Sequence, residues 1–298
     1  MTKLITGLAL ICFTSMTSFG QTSPVIENGA ELVQISNKFE FTEGPAVDHY
    51  GNVYFTDQPN NRILKWSTHN GLNSYINESF RSNGLYIDNE GNLIAAADEK
   101  NQLIKIAPDK TVTVLVDNFE GKRLNGPNDI WVDSKGGIYF TDPKYDRPWW
   151  DNAVRNLKEQ VYYLSPDSQL VVVADDIVKP NGIIGSADGK TLFVADIGDQ
   201  KTYSYTINED GTLSNQTLFT NLGSDGMTLD NQGNVYLTGN GVTIFNPEGE
   251  QIEKISVPEG WTANVTFGGF EQDILFITAM NSLYTIKMKV KGIKDYEL

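Results

Sequence analysis

Thiols and imidazoles are nearly missing from this chain: among 298 residues there is one cysteine, Cys12, and there are two histidines, His49 and His69. A lone cysteine excludes an intrachain disulfide framework and a thiolate metal cage. His49 falls inside a short polar turn, where a solvated role suits it, so little remains for imidazole-based catalysis. No Gly-x-Ser-x-Gly elbow is present to carry a nucleophilic serine. Long hydrophobic runs are scarce as well, and the one near the start, "LITGLALICF", is too short to span a bilayer. Basic residues are in the minority, 23 Lys and Arg against 38 Asp and Glu, for a net charge of −15. Such a surface makes nucleic acid and anionic membranes poor partners.

Residues 1–20 read as a secretory signal peptide: Lys3, then the apolar run, then small and polar residues up to "SFG" before Gln21. Ile11 is bulky where a lipid-attachment site at Cys12 would want a small residue, so no membrane anchor is expected. The expectation is a cysteine-free mature chain, 21–298, forming a single domain in the periplasm or outside the cell. A monomer is the default, because a closed ring of sheets leaves no edge demanding a partner.

What the chain does have is a repeat. It reads "DHYGNVYFTD" from Asp48, "DNEGNLIAAAD" from Asp88, "DSKGGIYFTD" from Asp133, "SADGKTLFVAD" from Ser186, "DNQGNVYLTG" from Asp230 and a glycine-less "EQDILFITA" from Glu271. Each is a short Asx or Gly turn opening a run of strand formers, which is a hairpin signal. The turn glycines Gly51, Gly91, Gly136, Gly189 and Gly233 recur at intervals between 40 and 53 residues. Six units with that period predict an all-β fold, a six-bladed β-propeller whose blades need one another to bury their faces. One terminus is expected to lend a strand to the other terminus's blade and close the ring. The longest interval holds an insertion after Pro143, "KYDRPWWDNAVRNLKEQ", in which Trp149 and Trp150 suggest a lid or wall over a channel mouth, or a surface excursion packed by the two rings.

Eight residues before the five turn glycines stand Glu43, Asn83, Asn128, Asn181 and Asp225, and the sixth unit puts Asn264 at about the same place. All are acids or amides. In a propeller the segment before such a hairpin is the innermost strand, so these oxygens converge at one end of the axis. Two carboxylates and four amides without His or Cys suit one hard, oxygen-seeking divalent cation in the axial channel, Ca2+ first, with Mg2+ or Mn2+ after it and Zn2+ disfavoured. Singly, each Asn or Asp could merely cap a turn; the shared register is what points to a site.

At "FTEGPAVD", "GKRLNGPNDIWVDSKGGIYFTDPKY", "PNGIIGSADGKTLFVAD", "DGMTLDNQGNVYL" and "NVTFGG" the chain resembles the gluconolactonase branch of the senescence-marker-protein/gluconolactonase family, from about residue 40 to about 285. The resemblance implies a six-bladed propeller that hydrolyses sugar lactones or related esters with one divalent cation, commonly calcium. It places metal ligands on Glu43, Asn181 and Asp225, with Asp225 also the base. Asn128 matches a position used as a ligand in some relatives and to hold substrate in others. Asp129 is read as an orienting carboxylate. Asn83, Asn128, Asn264 and Arg123 are candidates for substrate contact, Arg123 in place of an arginine found closer to the matching asparagine in the animal branch. The expected activity is therefore opening of an aldonolactone by water. Two alternatives stay open: a calcium-dependent organophosphate or ester hydrolase on the same scaffold, and a non-catalytic sugar-binding propeller.

Overall fold

Six four-stranded antiparallel sheets are arranged as blades in a computed structural model that describes residues 22–150 and 155–293. The signal-peptide reading and Cys12 lie outside those residues. The inner strands of the six blades are Thr42–Val47, Ser82–Ile87, Ile130–Val132, Pro180–Gly185, Met227–Leu229 and Asn264–Gly268. Each is followed by three further strands running outward, except in the last blade. There the outermost strand is Val33–Ser36, which pairs with Ser282–Lys287. The N-terminal strand thus closes the ring, as the repeat predicts.

The turns form for the reason visible in sequence. The carboxylate of Asp88 accepts the N–H groups of Glu90 and Asn92, and Gly91 takes φ +80°. The turns led by Asp48, Asp133 and Asp230 repeat this pattern. A side chain that bonds its own backbone two and four residues on fixes the hairpin before any packing occurs. Packing then falls between the blades. Six buried clusters each join two neighbours, as where Ile63 and Tyr54 of the first blade meet Leu85, Ala95 and Ile104 of the second. No blade covers its own faces, so the core exists only when the ring does.

At one end of the axis the inner strands touch backbone to backbone. The Gly84 N–H donates to Asn128 O at 2.7 Å and the Gly226 N–H to Ala263 O at 2.8 Å. A Cβ on Gly84 would collide with Asn128 O, one on Gly44 with Asn83 O, and one on Gly226 with the Asn264 side chain. Pairing also slips at this end, between Glu43 and Ala46, Ser82 and Leu85, and Pro180 and Ile183. Such bulges turn side chains away from the ladder, here toward the axis. Just below lies a cavity of about 90 Å³ lined by Ala46, Leu85, Ile130, Ile183, Met227 and Val265. It is too small for a sugar-sized ligand.

Gly84→Ala should therefore lower unfolding free energy by about 3 kcal/mol through overpacking. Gly91→Ala, whose added Cβ meets nothing within 4 Å, should cost about 1 kcal/mol of backbone strain alone. Urea denaturation of the two variants measures the difference, and an equal or reversed order would remove the crowded collar as the explanation.

Candidate active site

The six axial positions come together where the inner strands begin. Glu43, Asn83, Asn128, Asn181 and Asn264 are buried, while Asp225 is partly exposed. Asn181 Nδ2 donates to Asp225 Oδ1 at 2.8 Å, and Asn264 Nδ2 approaches Glu43 Oε2 at 3.5 Å. Glu43 Oε2 also accepts the Gly44 N–H at 2.8 Å, and Asn264 Oδ1 accepts the Val265 N–H at 2.8 Å. These bonds hold both side chains against their own strands. Asp129 Oδ1 accepts the Ile130 N–H at 3.1 Å, and its carboxylate also faces the Ile183 N–H and the Asn264 amide. It stitches the third blade to the fourth and sixth.

The electrostatics are unfavourable as they stand. Burial, with Asp225 nearby, holds the Glu43 carboxyl well above its ordinary range. Burial lifts Asp129 to about 7, with Asp225 adding to the rise against bonds that lower it. Asp225 is pushed up to about 6 by burial, which outweighs the bonds from Trp261 and Asn181 and the charge of Arg147. Asn181 Oδ1 is buried and has no hydrogen-bond partner, although its amide nitrogen is fully used. A buried carbonyl oxygen left unpaired beside two carboxylates that burial discourages from ionising is a donor set for a hard divalent cation. Among the described residues no three His, Cys, Asp or Glu side chains form a metal cage, so amide oxygens would have to complete the coordination.

Three side chains at the site escaped the reading of the sequence. Trp261 lies in the connection leading to the sixth inner strand, and its Nε1 donates to Asp225 Oδ2 at 2.6 Å. With Asn181 on the other oxygen, both ends of the Asp225 carboxylate are fixed. Tyr145, from the insertion, bonds Asn181 Nδ2 through its hydroxyl at 2.8 Å, and burial raises its pKa, keeping it a neutral phenol. Arg147, also from the insertion, places its charge close enough to lower the Asp225 pKa. Position eight before the turn glycines says nothing of these residues; only the tryptophan pair marked the insertion. Arg123 is exposed in the connection preceding the third inner strand, and the cation that acts on Asp225 is Arg147.

The described part of the insertion packs against the site, through Tyr145 at Asn181 and the two tryptophans at Asp98. Asp98, at the end of the second blade's second strand, accepts Trp149 Nε1 at 3.2 Å and Gln58 Nε2 at 3.2 Å on one oxygen, and its backbone carbonyl accepts Trp150 Nε1 at 2.6 Å. The matching aspartates of other blades instead cap local backbone, as Asp142 does for the N–H groups of Asn125 and Gly126. Gly126 leaves room for the Trp150 ring, which a Cβ there would strike.

The sequence and fold have known counterparts. A gluconolactonase of Zymomonas mobilis is 29% identical over 301 residues, spanning 90% of this chain and 84% of its own. A diisopropyl-fluorophosphatase of Loligo vulgaris is 24% identical over 306 residues, spanning 92% and 96%. A solved structure from Xanthomonas campestris, described as a gluconolactonase important in glucose secondary metabolism, superposes with a TM-score of 0.81 at 29% identity, covering 87% of this chain and 89% of that one. Residues 41–281 match the SMP-30/gluconolactonase/LRE-like region, and with its propeller and axial ring of acids and amides the chain belongs to that family.

Proposed function

We propose that this chain is an exported hydrolase that opens sugar lactones at the axial site with the help of one divalent cation, calcium in the first instance. The observation that carries the reading is the conjunction of Glu43, Asp225 and the unpaired Asn181 Oδ1 at one end of a gluconolactonase-family propeller. Glu43, Asn181 and Asp225 would hold the ion. When bound, it supplies Lewis-acid chemistry, of the kind that stabilises an oxyanion developing on an ester carbonyl by several kcal/mol.

The protein's own groups do the proton work. Asp225 accepts a proton from the attacking water as the positioned base. Trp261 and Asn181 keep its oxygens in place during the transfer, so the reactive lone pair has one direction. The same carboxyl then returns the proton to the ring oxygen as it leaves. Asn83 and Asn128 present amides to sugar hydroxyls at the ring, and the neutral Tyr145 phenol shields the opposite side. Asn264, whose carbonyl is occupied and whose amide faces Glu43, positions that carboxylate.

Hydrolysis of glucono-δ-lactone and other aldonolactones, followed by acid release, is expected to disappear on chelation and return with calcium. Turnover of phosphotriesters alone would transfer the reading to an organophosphate hydrolase, and tight metal binding without turnover of either class would leave a binding protein. Asp225→Asn should lower kcat by roughly 10²- to 10⁴-fold, the usual worth of a positioned base. Calorimetry should still detect ion binding by that variant, and wild-type kcat in it would remove Asp225 as the base.

Stability offers a second test. A carboxyl whose folded pKa lies above its unfolded value, near 4, contributes stability while protonated and loses that contribution as pH rises through the folded value. For Asp129 and Asp225 the loss runs from about pH 4 to about 6 or 7. Chelated protein should therefore melt at a lower temperature at pH 8 than at pH 5, and calcium should raise the midpoint more at pH 8, where the carboxylates it binds are ionised. A calcium effect that is larger at pH 5 would contradict the proposed donor set.

A further inference from the structure

The described part of the wall over the site gathers positive charge and aromatic rings. Arg81, Trp149, Arg147, Tyr145 and Lys179 form an alternating stack of cations and rings. The Arg81 guanidinium is 4.8 Å from the Trp149 centroid and that of Arg147 is 5.6 Å from it. Arg147 also lies 5.2 Å from the Tyr145 centroid, with Lys179 Nζ 4.7 Å from the same ring. Aromatic faces offset part of the repulsion between neighbouring cations, but they neutralise none of the charge.

Among the described residues, Asp98 pairs with this stack, its Oδ2 lying 3.3 Å from Arg147 Nε. Its capacity is already shared with Trp149 and Gln58. Arg81 Nη1 donates to the Pro59 carbonyl, while Arg81 Nε is buried without a hydrogen-bond partner. Two of the cations also tie the insertion down, Arg147 at Asp98 and Lys179 through the Lys144 carbonyl, which its Nζ meets at 3.2 Å. In a chain where acidic residues outnumber basic ones 38 to 23, three cations gathered beside the axial carboxylates stand out. The stack ends at the chemistry: the Tyr145 hydroxyl meets Asn181 Nδ2, which bonds Asp225.

We propose that Arg147, with Arg81 and Lys179, selects lactones bearing an anionic group, a carboxylate or a phosphate, at the end of the molecule remote from the ester. The inference rests on the lactonase reading and narrows its substrate class. A guanidinium receives either anion through paired N–H donors, and the partly exposed Arg147 side chain is placed to do so one aromatic ring away from Asn181. Attack at the ring carbonyl is unchanged; the remote anion fixes the orientation of the sugar acid.

The test compares kcat/KM of the calcium-loaded protein for glucono-δ-lactone, its 6-phosphate and a glucarolactone with a free carboxylate. Calorimetric binding of gluconate, 6-phosphogluconate and glucarate gives a readout independent of turnover. At least a tenfold preference for one anionic lactone is expected, shrinking as salt is raised, and the two anionic arms separate phosphate from carboxylate. Arg147→Gln and Arg81→Gln should each lower the ratio of anionic to neutral kcat/KM at least fivefold, with Arg147→Lys retaining part of it. Equal or better use of the neutral lactone, or an unchanged ratio in both glutamine variants, overturns the inference and leaves the lactonase reading standing. No turnover of any lactone, with tighter binding of the anionic acids, overturns the lactonase reading and keeps the charge selection.

Discussion

Everything at the mouth of this propeller depends on how closely neighbouring inner strands approach one another. Gly84 lies against the carbonyl of Asn128, Gly44 against that of Asn83, and Gly226 against the Asn264 side chain. A side chain at any of these points would push two blades apart and, because the ring is closed, would spread the whole set of axial residues. The glycine that follows an axial acid or amide in four of the six blades is thus a spacing element for the residue beside it: Gly44, Gly84, Gly182 and Gly226. Where the third blade has Asp129 instead, its carboxylate fills the corresponding place and bonds across to its neighbours.

Crowding brings a second consequence. Glu43, Asp129 and Asp225 share one mouth, and burial resists the ionisation of each. Stability and function pull in opposite directions here, since a fold optimised for stability would place neutral residues at the axis. The insertion answers with charge of the opposite sign. Arg147 reaches the field of Asp225, and Asp98 restrains the insertion through Trp149 and Trp150. The Asp225 carboxylate therefore meets groups from three separate parts of the chain: Asn181, Trp261 and Arg147 of the wall.

The blades and the axial ring were legible because they follow from a constant offset. Turn glycine, inner strand and axial residue sit on one rigid hairpin, so a distance of eight in sequence becomes the same place in each blade. Arg123 shows where that reasoning fails. Five residues before Asn128, it lies in an irregular connection, and no strand period relates its side chain to the axis. Trp261, three residues before Asn264, has the same ambiguous status in sequence but does reach Asp225. Nothing local distinguishes the two.

The sequence by itself determined the number of blades, the turns between them and the identity of the six axial side chains, because hairpin chemistry and strand alternation are local. Tertiary structure alone decided which groups complete the site. Tyr145 and Arg147 belong to a segment with no counterpart in the other blades, and they are placed by contacts with Asn181 and Asp98, 36 residues and 49 residues away along the chain. The Trp261 bond to Asp225 likewise spans 36 residues. Contacts of that range are set by the closing of the ring and by the fit of rings into gaps such as the one Gly126 leaves, and a linear pattern carries no record of either.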